Sequence, residues 1–237
     1  MSLRFLSWNL ALLERSDEAP PHWEQFNTEA AVRDLILGGE PDVVCFQELP
    51  GLVPYVETHD LLPATPTSHS GNLATLVTHP LAELEPPVRV VAGCAVLATF
   101  VSPTDDEAPF TVANVHLEAG RGAGGRRLEQ LAEVVETSPT PRLLIVGDTN
   151  LRLAEAEALD DAGFSGPRPP RPTWDSRRNR FRRRGPEFTA YFTRWFASPG
   201  LRVDDVRVHR EPIEVDGRRF HLSDHFALSG VVSLTEW

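Results

Sequence analysis

Eight polar residues close or follow the apolar runs of this chain. They are Asn9 after Phe5–Trp8, Glu48 after Val43–Gln47, Asn114 and His116 near the end of Phe110–Leu117, Asp148 and Asn150 after Leu143–Gly147, and Asp224 with His225 before Phe226–Ser229. Strand ends and the loops after them are where a rigid scaffold presents functional groups. Singly, each residue reads as a cap or turn residue. Together they are three carboxylates, two imidazoles and three amides without a cysteine, which is hard-ligand chemistry suited to Mg²⁺ or Mn²⁺ rather than Zn²⁺. A phosphodiester needs its charge neutralised, a water oriented and deprotonated, and a leaving oxygen stabilised. A divalent ion with a carboxylate base and an imidazole supplies all three.

Five short strings carry these residues: Ser7-Trp8-Asn9, Val44-Cys45-Phe46-Gln47-Glu48, Asn114-Val115-His116-Leu117, Gly147-Asp148-Thr149-Asn150 and Ser223-Asp224-His225. In this order they resemble the successive signatures of the endonuclease/exonuclease/phosphatase superfamily. Three longer strings narrow the resemblance to its 5′-tyrosyl-DNA phosphodiesterase-like members: His116-Leu117-Glu118 with Arg126, Arg127 and Gln130, then Gly147–Arg152, then Thr173-Trp174-Asp175-Ser176 with Asn179. The resemblance implies that Glu48 binds the metal, with Asn9 beside it and Asp224 completing or ordering the shell. It implies Asp148 as the group that orients and deprotonates water, Asn150 as a phosphate-oxygen ligand, and His225 with His116 as donors to the phosphoryl oxygens. Asn114, Glu118, Arg127, Trp174 and Arg194 are the expected substrate contacts.

One position departs from that pattern. The family carries an Asp before Arg-aromatic on a late strand, and its carboxylate fixes the histidine of the Ser-Asp-His string. The corresponding run is Phe192-Thr193-Arg194-Trp195-Phe196, so Thr193 stands where the carboxylate is expected. Reduced activity or an altered substrate is the expectation, with Asp175 or Glu187 as candidate replacements.

The elements that must position these residues follow from periodicity. Leu3–Trp8, Asp42–Gln47, Leu73–Thr78, Val88–Val91, Ala95–Val101, Phe110–Leu117, Leu143–Val146, Phe192–Ala197, Leu201–Val208 and Phe226–Leu234 read as strands. Helices are expected over His22–Leu37, Gly124–Thr137 and Leu153–Leu159. The strands are too continuously apolar to be wet on one face, which favours two stacked sheets flanked by helices. Periodicity alone leaves a doubly wound α/β sheet open, whereas the resemblance implies a four-layer α/β/β/α sandwich of two mostly antiparallel sheets. No sequence repeat is evident, and 237 residues fit one domain over 1–237 with an Arg/Pro-rich loop at about 166–185.

The net charge of −11 argues against a protein that coats nucleic acid nonspecifically. The charge is uneven, because Arg168–Arg184 holds eight Arg against the single acid Asp175. That loop reads either as a phosphate-contacting segment, with Trp174 and Phe181 to stack on a base, or as a solvated arm. Cys45 and Cys94 sit in apolar runs and read as buried thiols. No apolar run approaches membrane-spanning length and none resembles a leader, so a cytoplasmic location and no membrane partner are expected.

The sequence therefore points to a Mg²⁺- or Mn²⁺-dependent phosphodiesterase acting on a phosphoester, with single-stranded or end-exposed DNA as the candidate partner. The competing readings are a phosphomonoesterase or phospholipid diesterase of the same superfamily, and a catalytically weakened binding module motivated by Thr193.

Overall fold

The apolar runs become strands because their Val, Ile, Leu and Phe side chains find burial on both faces of a sheet. The computed structural model describes residues 2–50, 72–77, 83–91, 93–101, 109–181 and 186–235. Its first half runs β1 (Ser2–Asn9), α1 (Gln25–Gly39), β2 (Val43–Leu49), β3 (Asn72–Val77), β4 (Glu83–Val91), β5 (Ala95–Val101) and β6 (Phe110–His116). Then follow α2 (Gly124–Thr137), β7 (Leu143–Asp148), α3 (Leu153–Asp161), β8 (Trp174–Asp175), β9 (Thr189–Ala190), β10 (Thr193–Ala197), β11 (Leu201–His209), β12 (Ile213–Val215), β13 (Arg218–Phe220) and β14 (Ala227–Leu234).

Two five-stranded sheets result, ordered β11-β14-β1-β2-β3 and β10-β7-β6-β5-β4. Each has one parallel pair, β1 with β2 and β6 with β7, joined through a helix, while its other neighbours are antiparallel. Read from β11 to β3 and from β4 to β10, the two sheets follow the same sequence of pairings. This internal likeness in topology has no counterpart in a visible sequence repeat.

The core lies in three layers of side chains. Phe5, Val43, Phe100, Phe110, Val146 and Trp195 pack in one cluster between the sheets. Leu131 and Val134 of α2 and Leu159 of α3 cover the outer face of the second sheet over Ile145 and Phe196. Val32 and Ile36 of α1 cover the first sheet with Trp23 and Phe220, whose rings meet edge-on at 4.9 Å. Each buried Phe or Leu contributes about 1.5–3 kcal/mol relative to exposure. The arrangement is the four-layer sandwich with mostly antiparallel sheets. Cys45 and Cys94 are both buried, and desolvation pushes the Cys45 thiol up to about 12.

Local details differ from the periodicity. The first helix starts at Gln25, where Glu24 N–H donates to Asn27 Oδ1 at 2.9 Å and closes a capping box. Its buried stripe is Val32 and Ile36, whereas Phe26 and Leu35 are 61% and 53% exposed. Strand β4 begins well before Val88 and contains Pro86 and Pro87, which an edge strand tolerates because one side needs no amide donors. The β12–β13 hairpin was not expected, although Asp216-Gly217, with φ of 51° and 72°, is the dipeptide that a two-residue hairpin turn requires. Among the described residues no helix is long and apolar enough to cross a membrane.

Candidate active site

Strand alternation delivers most of the site. Leu3 and Phe5 of β1 face the gap between the sheets, so Ser7 and Asn9 continue on that face. In the same way Leu144 and Val146 lead to Asp148, and Phe110 and Val112 lead to Asn114 and His116. Glu48 breaks the alternation: Val44 and Phe46 face outward under α1, and a further two-residue step would send Glu48 with them. A register shift between Phe46 and Leu49, with Glu48 at φ 51°, re-aims its carboxylate toward Asn9.

The groups meet where the parallel pairs of the two sheets end. Asn9 Nδ2 donates to Glu48 Oε1 at 3.1 Å and to Asp148 Oδ2 at 2.9 Å. Ala11 N–H donates to Asn9 Oδ1 at 2.9 Å, which fixes the amide with its nitrogen toward the carboxylates. His116 Nε2 lies 3.8 Å from Glu48 Oε1 and 3.7 Å from Asp148 Oδ2, and His225 Nε2 lies 3.7 Å from the same Asp148 oxygen. The Asp148 side chain is 3% exposed, against 28% for Glu48, so Glu48 is the more accessible carboxylate. Asn150, in the left-handed region at φ 51°, donates its backbone N–H to Asp148 Oδ1 at 3.2 Å and one amide hydrogen to Leu117 O at 3.1 Å.

A buried amide pair beneath these groups holds the sheets in register. Gln47 Nε2 donates to Asn114 Oδ1 at 2.8 Å, and Asn114 Nδ2 donates to the carbonyls of Phe46 and Ala74 at 3.1 and 3.0 Å. Asn114 is completely buried and therefore ties β6 to β2 and β3 instead of reaching a substrate. Gln47 is an unanticipated member of the site's support, although its place inside a motif was the available signal.

The turn carrying His225 is fixed on three sides. Ser223 Oγ donates to Asn9 O at 2.6 Å, and His225 N–H donates to Ser223 Oγ at 3.1 Å. Trp8 Nε1 donates to His225 O at 3.0 Å, and Phe226 N–H donates to Thr173 O at 2.9 Å. Trp174 stands edge-on against the His225 ring at 5.0 Å and stacks on Phe188 at 5.8 Å, while Phe192 lies 6.1 Å from His225. The Arg152 guanidinium sits 5.0 Å over Phe192. Phe188 and Phe192 were not singled out by sequence, because an aromatic residue beside a strand reads as core. Asp224 is half-buried between Ser223 and His225.

Other expected contacts lie elsewhere. Arg127 is fully buried, and it donates to Glu155 Oε2 and Oε1 at 2.8 and 2.7 Å and to the carbonyls of Glu118 and Gly120. It staples α2 to α3, and its charge holds the Glu155 carboxyl below the usual carboxylate range. Glu118 has an exposed side chain and takes part in that staple through its backbone. Arg194 is 4% exposed beside Phe196 on the outer face of β10, turned away from Asp148, and desolvation lowers its pKa. Phe181 is 1% exposed, so it is core and not a stacking platform.

Neither candidate replacement for the family carboxylate serves His225. Asp175 pairs with Arg210 and accepts the backbone amides of Arg177 and Arg178, and Glu187 is an exposed partner of Arg177. These contacts also anchor the Arg-rich loop, in which Arg168, Arg171, Arg177, Arg178 and Arg180 are exposed. Arg182, Arg183 and Arg184 lie outside the described residues. Among the described residues no three His, Cys, Asp or Glu side chains form a metal cage.

Solved structures share this architecture. The chain aligns with zebrafish (D. rerio) TDP2 complexed with single-strand DNA product at a TM-score of 0.75 and 20% identity, covering 98% of this chain and 99% of that one. Truncated Caenorhabditis elegans TDP2 aligns at 0.72 and 19%, covering 98% and 97% of the two chains. The endonuclease domain of TRAS1, a telomere-specific non-LTR retrotransposon, aligns at 0.64 and 16%, covering 99% and 100%. No curated protein sequence matches the chain. The model of the endonuclease/exonuclease/phosphatase family matches residues 6–225, which include every motif residue of the site. The chain belongs to the endonuclease/exonuclease/phosphatase family.

Proposed function

We propose that this protein is a Mg²⁺- or Mn²⁺-dependent phosphodiesterase that cleaves a phosphoester at a nucleic-acid end by attack of an activated water. The observation that carries the reading is the surround of one oxygen: Asp148 Oδ2 has Asn9 Nδ2 at 2.9 Å and both His116 Nε2 and His225 Nε2 at 3.7 Å. A carboxylate so placed orients a water and accepts its proton. The two imidazoles and the Asn150 amide donate to phosphoryl oxygens as negative charge develops.

The donor set fits a hard divalent ion. Glu48 and Asp148 present oxygen ligands to a shared space, and Mg²⁺ is commonly held by one or two carboxylates together with water and substrate phosphate. Glu48 would hold the ion, with Asp224 on the neighbouring turn, and Asn9 would order the carboxylates through its amide nitrogen. Such an ion, when bound, neutralises phosphoryl charge and polarises the scissile bond. Trp174, Phe188 and Phe192 offer an apolar wall beside His225, and the exposed Arg residues of the adjacent loop match phosphate geometry. The single-strand DNA product carried by the zebrafish neighbour supports a DNA end as substrate.

The test is hydrolysis of a 5′-phosphotyrosyl oligonucleotide beside a generic phosphodiester, with Mg²⁺ or Mn²⁺ and with EDTA. Turnover is expected to need the ion and to fall at least about 100-fold in Asp148→Ala. Metal-independent turnover, or full activity in that variant, refutes the proposal. Substrate affinity for a strand should fall steeply with added salt, whereas a flat response favours a small phosphoester.

A further inference from the structure

His225 and Thr193 both hide an orphaned polar atom. His225 is 7% exposed and Thr193 is completely buried, yet among the described residues neither His225 Nδ1 nor Thr193 Oγ1 has a hydrogen-bond partner. Leaving a buried polar group unpaired costs about 1–3 kcal/mol. Each such group therefore requires an explanation.

The segments that carry them converge on two shared residues, Thr173 and Asp148. Thr173 bonds the backbone of both segments: its carbonyl accepts Phe226 N–H at 2.9 Å, and its hydroxyl accepts Thr193 N–H at 3.0 Å and donates to Thr193 O at 3.2 Å. Thr193 is the register partner of Asp148 on β10, and His225 Nε2 reaches that same aspartate. With Nε2 on the side of Asp148, Nδ1 lies on the other edge of the ring, where it is buried.

We propose that Thr193 is a positioning residue for His225, acting through one buried water that bridges Thr193 Oγ1 and His225 Nδ1. The Thr193 hydroxyl donates to the water oxygen, and the water donates to the Nδ1 lone pair. The partner of one ring nitrogen decides which nitrogen carries the proton. Accepting at Nδ1 leaves the proton on Nε2, so the neutral imidazole presents an N–H donor to a phosphoryl oxygen. A carboxylate at position 193 would do the reverse, drawing the proton to Nδ1. The threonine is thus a different device for aiming the same ring, in place of the lost carboxylate. This inference rests on the proposed role of His225 at the phosphoryl group.

Two measurements keep its failure distinct from failure of that role. Long-range ¹H–¹⁵N correlations of the His225 ring, taken near neutral pH without substrate, should show the proton on Nε2 in the wild type and in Thr193→Ser. The proton should move to Nδ1 in Thr193→Asp. A proton on Nδ1 in the wild type, or the same ring state in Thr193→Asp, overturns the proposal whether or not any substrate turns over. In turnover, the isosteric Thr193→Val should lower kcat on the order of 10-fold with KM unchanged. Thr193→Ser should restore it. Wild-type kcat in Thr193→Val overturns the positioning role.

Discussion

Asn9 binds Asp148 across the gap between the two sheets, with Nδ2 to Oδ2 at 2.9 Å, while the same nitrogen holds Glu48 Oε1 at 3.1 Å within its own sheet. One amide thus keeps two carboxylates close without a proton between them. Asn9→Asp puts a third negative group in their place, and like charges at this separation disfavour each other's ionisation. The expected outcome is a fall in kcat of about 100-fold or more. Wild-type kcat in Asn9→Asp removes Asn9 from the catalytic machinery.

Gly147 precedes Asp148 with φ of 150°, and a Cβ there would sit 2.0 Å from the Val115 carbonyl oxygen. The clash is with backbone of the paired strand, so no side chain can rotate away. Gly147→Ala should destabilise the fold on the order of 3 kcal/mol, measured by denaturant unfolding. A loss below about 0.5 kcal/mol, the range of neutral surface changes, would show that β6 and β7 separate easily.

Arg127 and Glu155 form the buried staple between α2 and α3, with side-chain exposures of 0% and 15%. Removing one partner leaves the other charge uncompensated, so Glu155→Ala should cost about 3–5 kcal/mol. The pH sign follows from the lowered Glu155 pKa. Its contribution is complete above the ordinary carboxylate value of 4.5 and is lost as pH falls through the lower folded value. Unfolding curves of wild type and Glu155→Gln should therefore converge in acid. Curves that remain parallel down to the acid limit contradict the assignment.

His221 packs edge-on to Phe226 at 5.2 Å, and burial, with Arg210 adding to it, lowers its pKa from 6.5 to about 4. The unfolded chain binds a proton between these values that the folded chain refuses. Stability should therefore be complete above about 6.5 and decline toward pH 4, by a slope of at most one proton for this group. His221→Gln should flatten that part of the pH profile in thermal unfolding. An unchanged slope assigns the proton uptake to other groups.

Legibility of the site in the sequence followed burial. Asn9, His116 and Asp148 were readable because each ends a strand whose alternation faces the gap between the sheets, and alternation is written in the order of apolar residues. His225 is in phase with the outward-facing Ala227 and was marked by its motif alone. Arg127, Arg194 and Asn114 were misread as substrate contacts because residue type does not disclose depth. An arginine suits phosphate at the surface and serves equally as a staple when Glu155, distant in the chain, closes on it. Phe181, a stacking candidate in one of the two readings of the Arg-rich loop, is core, and nothing local separates a buried ring from a stacking platform.

By itself the sequence determined most of the main elements, the order of the motifs and the hard-ligand chemistry they imply, because periodicity and residue type act over a few positions. Periodicity left the two-sheet class open beside a doubly wound sheet. The tertiary structure decided what depends on residues meeting across long stretches of chain. It turned Glu48 inward at a bulge, aimed the Asn9 amide nitrogen at both carboxylates, and set Thr193 opposite Asp148 in the β10–β7 register. Those outcomes depend on how two sheets stack, and stacking is fixed by packing and hydrogen bonding between segments that no local pattern connects.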